Sequence, residues 1–205
     1  MKTLYAKEWA FFKTHLVIKF GWLIQLSALM TGLFYFAFLE NPDMMQEVMG
    51  SIVQKLKDEG IFGLRGEFSL LLVLKIFYLN LRSTAAFTLL GFAPFLLGAI
   101  LFLIMLPVLM GVSLAVTVTK GLDFLTFFKL TAPHGIFELC AVFYGVSLGV
   151  YLSKEITKKL FSRASVTHTP LSSMTKQILK SYVIIIIPLL ALAAAIEVYF
   201  TPLLK

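Results

Sequence analysis

Long uncharged runs separated by short polar stretches organise this chain. A helix needs about 20 mainly apolar residues to cross a bilayer, and the first such run is 20–39, closed by Glu40, Asn41 and Pro42. It is too long for the apolar core of a secretory leader and lacks a small-residue cleavage site, so it reads as an uncleaved first span. From Glu40 to Glu67 the sequence turns polar, with room for a short helix around Met44 to Lys57. Over 68–82 the apolar positions are interrupted by Lys75, Asn80 and Arg82, the pattern of an interfacial helix.

Ser83 to Thr119 contains no charge and is long enough for two crossings. Pro94, Gly98, Pro107 and Gly111 offer places to turn; a break between Leu101 and Pro107 gives spans over 83–101 and 103–119. The competing division is one long span plus a re-entrant helix. Apolar sequence resumes after Lys120 and Asp123 and predicts a span over 130–152. A basic, polar stretch occupies 153–180, and a last span covers 181–203. The pattern predicts one all-α membrane domain over 1–205, a polytopic bundle of about five transmembrane helices.

Composition points the same way. Of 205 residues, 59% are hydrophobic and only 14% charged, with a mean hydropathy of +0.90. Soluble domains average roughly 45–50% apolar and about 25% charged residues. Twenty Phe are more than a core of this size could shield from water, whereas lipid solvates them. A lone cysteine, Cys140, excludes an internal disulfide and reads as a small packing residue. The net charge of +7 suits anionic lipid headgroups. No basic stripe interleaved with aromatics lies on a polar surface, so nucleic acid is not an expected partner. No phosphate loop, Ser-His-Asp order or cofactor fingerprint is present.

Charge also gives the expected orientation in a cell (plasma) membrane. Lys2, Lys7, Lys13 and Lys19 precede the first span, and 153–180 carries Lys154, Lys158, Lys159, Arg163, Lys176 and Lys180. The 40–69 segment is mainly acidic. Basic loops stay cytoplasmic, which puts the N-terminus and 153–180 inside, with 40–69 and the C-terminus outside.

Nine of the eleven acidic residues then fall in tails or loops; Glu138 and Glu197 fall within spans. An ionisable group at membrane depth suggests a functional site with a partner. Glu138 lies sixteen residues before Lys154, and Glu197 seventeen after Lys180. At about 1.5 Å per residue the two carboxylates reach one depth, in the outer third of the membrane. His134 sits one helical turn before Glu138 on the same face. The three residues fit a polar network that pins helices, a divalent metal site such as zinc with an open position, or a proton or ion relay of a transporter component. They are also the candidate catalytic residues.

Pro133-His134-Gly135-Ile136-Phe137-Glu138-Leu139, followed by Cys140-Ala141 and by Gly145 and Gly149, resembles the signature of the stage II sporulation protein M (SpoIIM) family. The likeness continues upstream in Phe77-Tyr78-Leu79-Asn80 and downstream in Ile196-Glu197-Val198-Tyr199-Phe200-Thr201-Pro202. It spans roughly residues 70–204, the first span matching in topology alone. The family often has Pro-Ala where this chain has Cys140-Ala141, and Asn-Gly where it has Met110-Gly111. The resemblance implies a polytopic membrane protein that acts as scaffold or accessory through partner envelope proteins. Its settings are septal peptidoglycan remodelling, or export of and immunity to circular bacteriocins. A metal-dependent intramembrane peptidase or peptide cyclase is the enzymatic alternative, and homo-oligomers are compatible with either.

The remaining features read as structural. Gly145-Val-Ser-Leu-Gly149 is a small-xxx-small pattern for close helix contact, and Gly91 and Gly98 suit the same use. Pro133 reads as a kink or helix start. His15 and His168 flank spans and are expected in solvent. Asn80 and Arg82 reach either the cluster or the headgroups.

Overall fold

The computed structural model describes residues 2–61, 69–161 and 170–204. Residues 62–68 of the expected outer loop, and Arg163 and His168 of the expected basic loop, lie outside them. Among the described residues there is no strand, and five helices are long and apolar enough to cross a membrane. They are α1 (Thr3–Glu40), α3 (Leu70–Phe92, ending in a 3₁₀ turn), α4 (Leu97–Thr119), α5 (Phe124–Phe161) and α6 (Leu171–Tyr199). A shorter helix, α2 (Pro42–Asp58), joins α1 to α3. The protein is an all-α polytopic membrane protein.

The helices divide differently from the sequence expectation. The segment over 68–82 is not a separate interfacial helix; from Leu70 it is the first part of α3, which runs on without interruption to Leu89. Residues 83–119 therefore supply the end of α3 and all of α4, not two spans. The break lies at Ala93–Leu96 rather than between Leu101 and Pro107, and Pro107 is a buried residue inside α4. Ser153, assigned to a polar loop, is a buried residue of α5, and helix continues to Phe161. Residues 3–19 are likewise helical and continuous with the first span through a π turn at Phe12–Leu16.

The physical reasons are local. Phe95 and Leu96 adopt left-handed backbone angles, φ 64° and 60°, which cost roughly 1–2 kcal/mol each for residues with a Cβ. Ser153 holds that turn: its hydroxyl donates to Ala93 O at 2.8 Å and accepts from Leu96 N–H at 3.0 Å. α3 tolerates Lys75 and Arg82 because both find partners just past the C-terminal end of α2. Lys75 Nζ donates to the Glu59 and Gly60 carbonyls at 3.1 and 3.2 Å, and Arg82 pairs with Glu59 at 2.7 Å. A cation against the last carbonyls of a helix also meets the negative end of its dipole.

α5 is the central helix. Its most apolar window is 56% buried, against 17% in α1 and in α3. At about 1.5 Å per residue its 38 residues exceed the roughly 30 Å hydrocarbon core. It meets α3 through small residues, which let backbones approach where lipid gives no hydrophobic drive. A Cβ on Gly145 would stand 2.5 Å from Thr84 Cγ2, and one on Gly91 would stand 2.6 Å from Gly149 Cα. Thr88 Oγ1 donates to Gly145 O at 2.8 Å and lies 2.7 Å from Tyr182 Oη. One threonine thus ties α3, α5 and α6 at one level. Gly111 does the same job sterically between α4 and α1, where a Cβ would be 2.9 Å from Phe34 Cβ. Cys140 does not pack inside; it is exposed on α5.

Candidate functional site

α5 starts behind Asp123, whose Oδ1 accepts from Thr126 N–H at 2.8 Å. Hydrogen bonds from Thr126 hold the Asp123 carboxyl below the ordinary aspartate range. Ten residues on, Pro133 sits inside the helix, and His134 and Glu138 follow on one face, a turn apart. Glu197 lies in the last turn of α6, and the chain then enters a 3₁₀ turn, Thr201–Leu204. That turn places Thr201 Oγ1 at 3.2 Å from His134 Nδ1.

The fold brings His134, Glu138 and Glu197 together: one ligand atom from each lies within 4.8 Å of the others. All three are half-buried. They line a cavity of about 700 Å³, to which α2, α3, α4, α5, α6 and the Thr201 turn contribute. Lys55, Glu59, Asn80, Arg82 and Ser83 also line it. Apolar side chains, among them Ile52, Leu56, Ile76 and Val198, complete it. The Glu138 carboxylate meets the charge of Glu197 and, among the described residues, no hydrogen-bond donor.

Asn80 and Arg82 reach this cavity, but Arg82 pairs with Glu59 and stacks over Tyr78 at 5.9 Å rather than joining the cluster. Pro133 and Gly135 shape α5 nearby. A Cβ on Gly135 would find only Thr131 Cγ2 at 3.5 Å, an ordinary contact. Gly145 and Gly149 are packing residues of the α3–α5 contact, away from the cavity. Lys55 and Glu59 carry no signal in the sequence, since only the return of α2 onto α3 makes them cavity residues, whereas Thr201 lies in the stretch that resembles the family.

Sequence reasoning misplaced Glu8, counted among the acids of tails and loops. Glu8 is 1% exposed. Tyr144 Oη donates to its Oε1 at 2.9 Å, and the Ser181 hydroxyl donates to the same oxygen. Gln177 Nε2 donates to Oε2 at 2.9 Å, and Lys180 Nζ lies 3.2 Å from the same oxygen. A usable signal existed: no helix breaker separates Thr3 from the first apolar run, so Glu8 belongs to the same helix.

The family model described as stage II sporulation protein M matches residues 17–202. The match takes in the first span, so the likeness there goes beyond topology. No curated protein and no solved structure matches the chain.

Proposed function

The chain belongs to the stage II sporulation protein M family, and on that premise we propose a metal-dependent membrane hydrolase of peptides. In this reading the protein crosses the plasma membrane five times, with the N-terminus inside and the C-terminus outside, so the cavity opens on the outer side. His134, Glu138 and Glu197 hold a divalent cation such as zinc. With Nδ1 engaged by Thr201, His134 offers Nε2, and each glutamate offers one oxygen. Ligand atoms around a tetrahedral zinc stand about 3.4 Å apart, so a spread of up to 4.8 Å closes by side-chain rotation. A bound ion with its fourth position open polarises a carbonyl and lowers the pKa of water.

The convergence of the three groups on an open cavity carries this reading. A network that only pins helices closes its polar groups onto one another. Here Glu138 and Glu197 bring two carboxylates together beside His134, and a divalent cation offsets their mutual repulsion. The substrate fitting the family setting is a peptide segment from a partner envelope protein or a bacteriocin-like peptide. The chain then serves envelope remodelling or peptide export and immunity through its own chemistry, not only as a scaffold.

Metal analysis of protein purified without chelator tests this. About one bound transition-metal ion per chain is expected, lost in Glu138→Gln and His134→Ala variants that still fold. Wild-type protein that is metal-free and fully functional refutes it. Orientation is checked in a Cys140→Ser background: Asp58→Cys should label from outside and Lys159→Cys should not.

A further inference from the structure

At the opposite end of α5 from the cavity, α1 brings a lysine against two others. Lys19 Nζ lies 6.0 Å from the centroid of the Tyr151 ring and donates to the His15 carbonyl. Lys154 and Lys158 follow Tyr151 by three and seven residues, so Lys19 stands on the side of α5 that carries them. Lys154 and Lys158 are one turn apart on α5, and both are exposed. Lys158 reaches Glu155 at 2.7 Å. Lys19 and Lys154 add two positive charges beside the Lys158–Glu155 pair, from helices 135 residues apart in sequence.

The neighbours say what lies beside this charge. Ile18 is 73% and Trp22 60% exposed; on a membrane-spanning helix such side chains face acyl chains. The lysines therefore stand where the apolar surface of α1 gives way to charge. That is headgroup depth, where Trp and Tyr gather and where the available anion is a phosphodiester. A phosphodiester there offsets the charge that Lys19 and Lys154 add beside the Lys158–Glu155 pair.

We propose that Lys19, Lys154 and Lys158 form a binding site for one anionic phospholipid, its phosphate among the ammonium groups and its acyl chains along Ile18 and Trp22. The site is independent of the cavity and of any metal there. Lys13, which lies over the Trp9 ring at 5.2 Å, shares α1 but not the site.

Native mass spectrometry of the full-length, delipidated protein tests it, with dioleoylphosphatidylglycerol and dioleoylphosphatidylcholine as probes. Phosphatidylglycerol should bind about fivefold more weakly to Lys154→Gln and about thirtyfold more weakly to Lys19→Gln/Lys154→Gln. Lys13→Gln should bind as wild type does, phosphatidylcholine should bind weakly throughout, and millimolar inorganic phosphate should not displace the lipid. Since Lys154 is exposed, its variant keeps the fold. Wild-type affinity in the double variant overturns the proposal. So does an equal loss in Lys13→Gln, which would mean a diffuse field, or displacement by phosphate, which would mean a free-anion site.

Discussion

Replacing Glu8 with Ala removes the carboxylate that joins the N-terminal turns of α1 to α5 and α6. Four groups point at it: the Tyr144 and Ser181 hydroxyls, the Gln177 amide and the Lys180 ammonium. Tyr144 is 6% and Ser181 0% exposed, so neither finds water easily in its place. A stranded buried donor costs about 1–3 kcal/mol. The Ser181 hydroxyl can turn to the carbonyl one turn back, and Lys180, 28% exposed in its side chain, can turn to solvent. What remains is Tyr144, Gln177 and lost packing, for a destabilisation of about 2–4 kcal/mol. Glu8→Gln keeps the shape but aims an NH₂ at donors, at a cost of about 1–2 kcal/mol. Reversible unfolding in mixed micelles measures both. A double-mutant cycle with Tyr144→Phe should give about 1–2 kcal/mol of coupling, because the two side chains touch. An Ala variant within about 0.5 kcal/mol of wild type, or strict additivity with Tyr144→Phe, refutes the assignment of Glu8 as a structural lock.

Four other substitutions probe the fold by the same unfolding assay. Ser153→Ala should destabilise by about 1–3 kcal/mol, because Leu96 N–H and Ala93 C=O lose their partner at the α3–α4 turn. Gly91→Ala should cost at least about 2 kcal/mol, since its methyl meets the Gly149 backbone rather than a movable side chain. Gly135→Ala, although inside the family-like motif, should be neutral or stabilise by up to about 1 kcal/mol, because its methyl meets only Thr131 Cγ2 at 3.5 Å. Asp123→Ala should lower stability slightly, with a pH signature. The Asp123 carboxyl is lowered in the folded state by its Thr126 hydrogen bonds. Its contribution is therefore complete above the unfolded aspartate pKa of about 3.9 and fades as pH falls through the lower folded value. A wild-type and variant difference that grows on acidification contradicts the cap.

Apolarity is a property of a stretch of chain, and whatever depends on it alone could be read from the residues. Runs of uncharged sequence predict crossing helices. The alternation of basic and acidic connections sets their expected orientation. The heptapeptide from Pro133 to Leu139 carried the family resemblance. Spacing along two antiparallel helices was enough to place Glu138 and Glu197 at one depth, since rise per residue is constant. What was not legible is everything that turns on a partner distant in sequence. Lys75 and Arg82 disqualified α3 as a span on local grounds, yet α2 folds back and takes up both charges. Glu8 sits among lysines and a tryptophan in a segment that reads as a tail, yet α5 and α6 surround it with four donors. The turn at Ala93–Leu96 contains no glycine and depends on Ser153, some sixty residues away. A charge in a membrane is admitted or refused by what faces it, and only the tertiary structure decides which groups face one another.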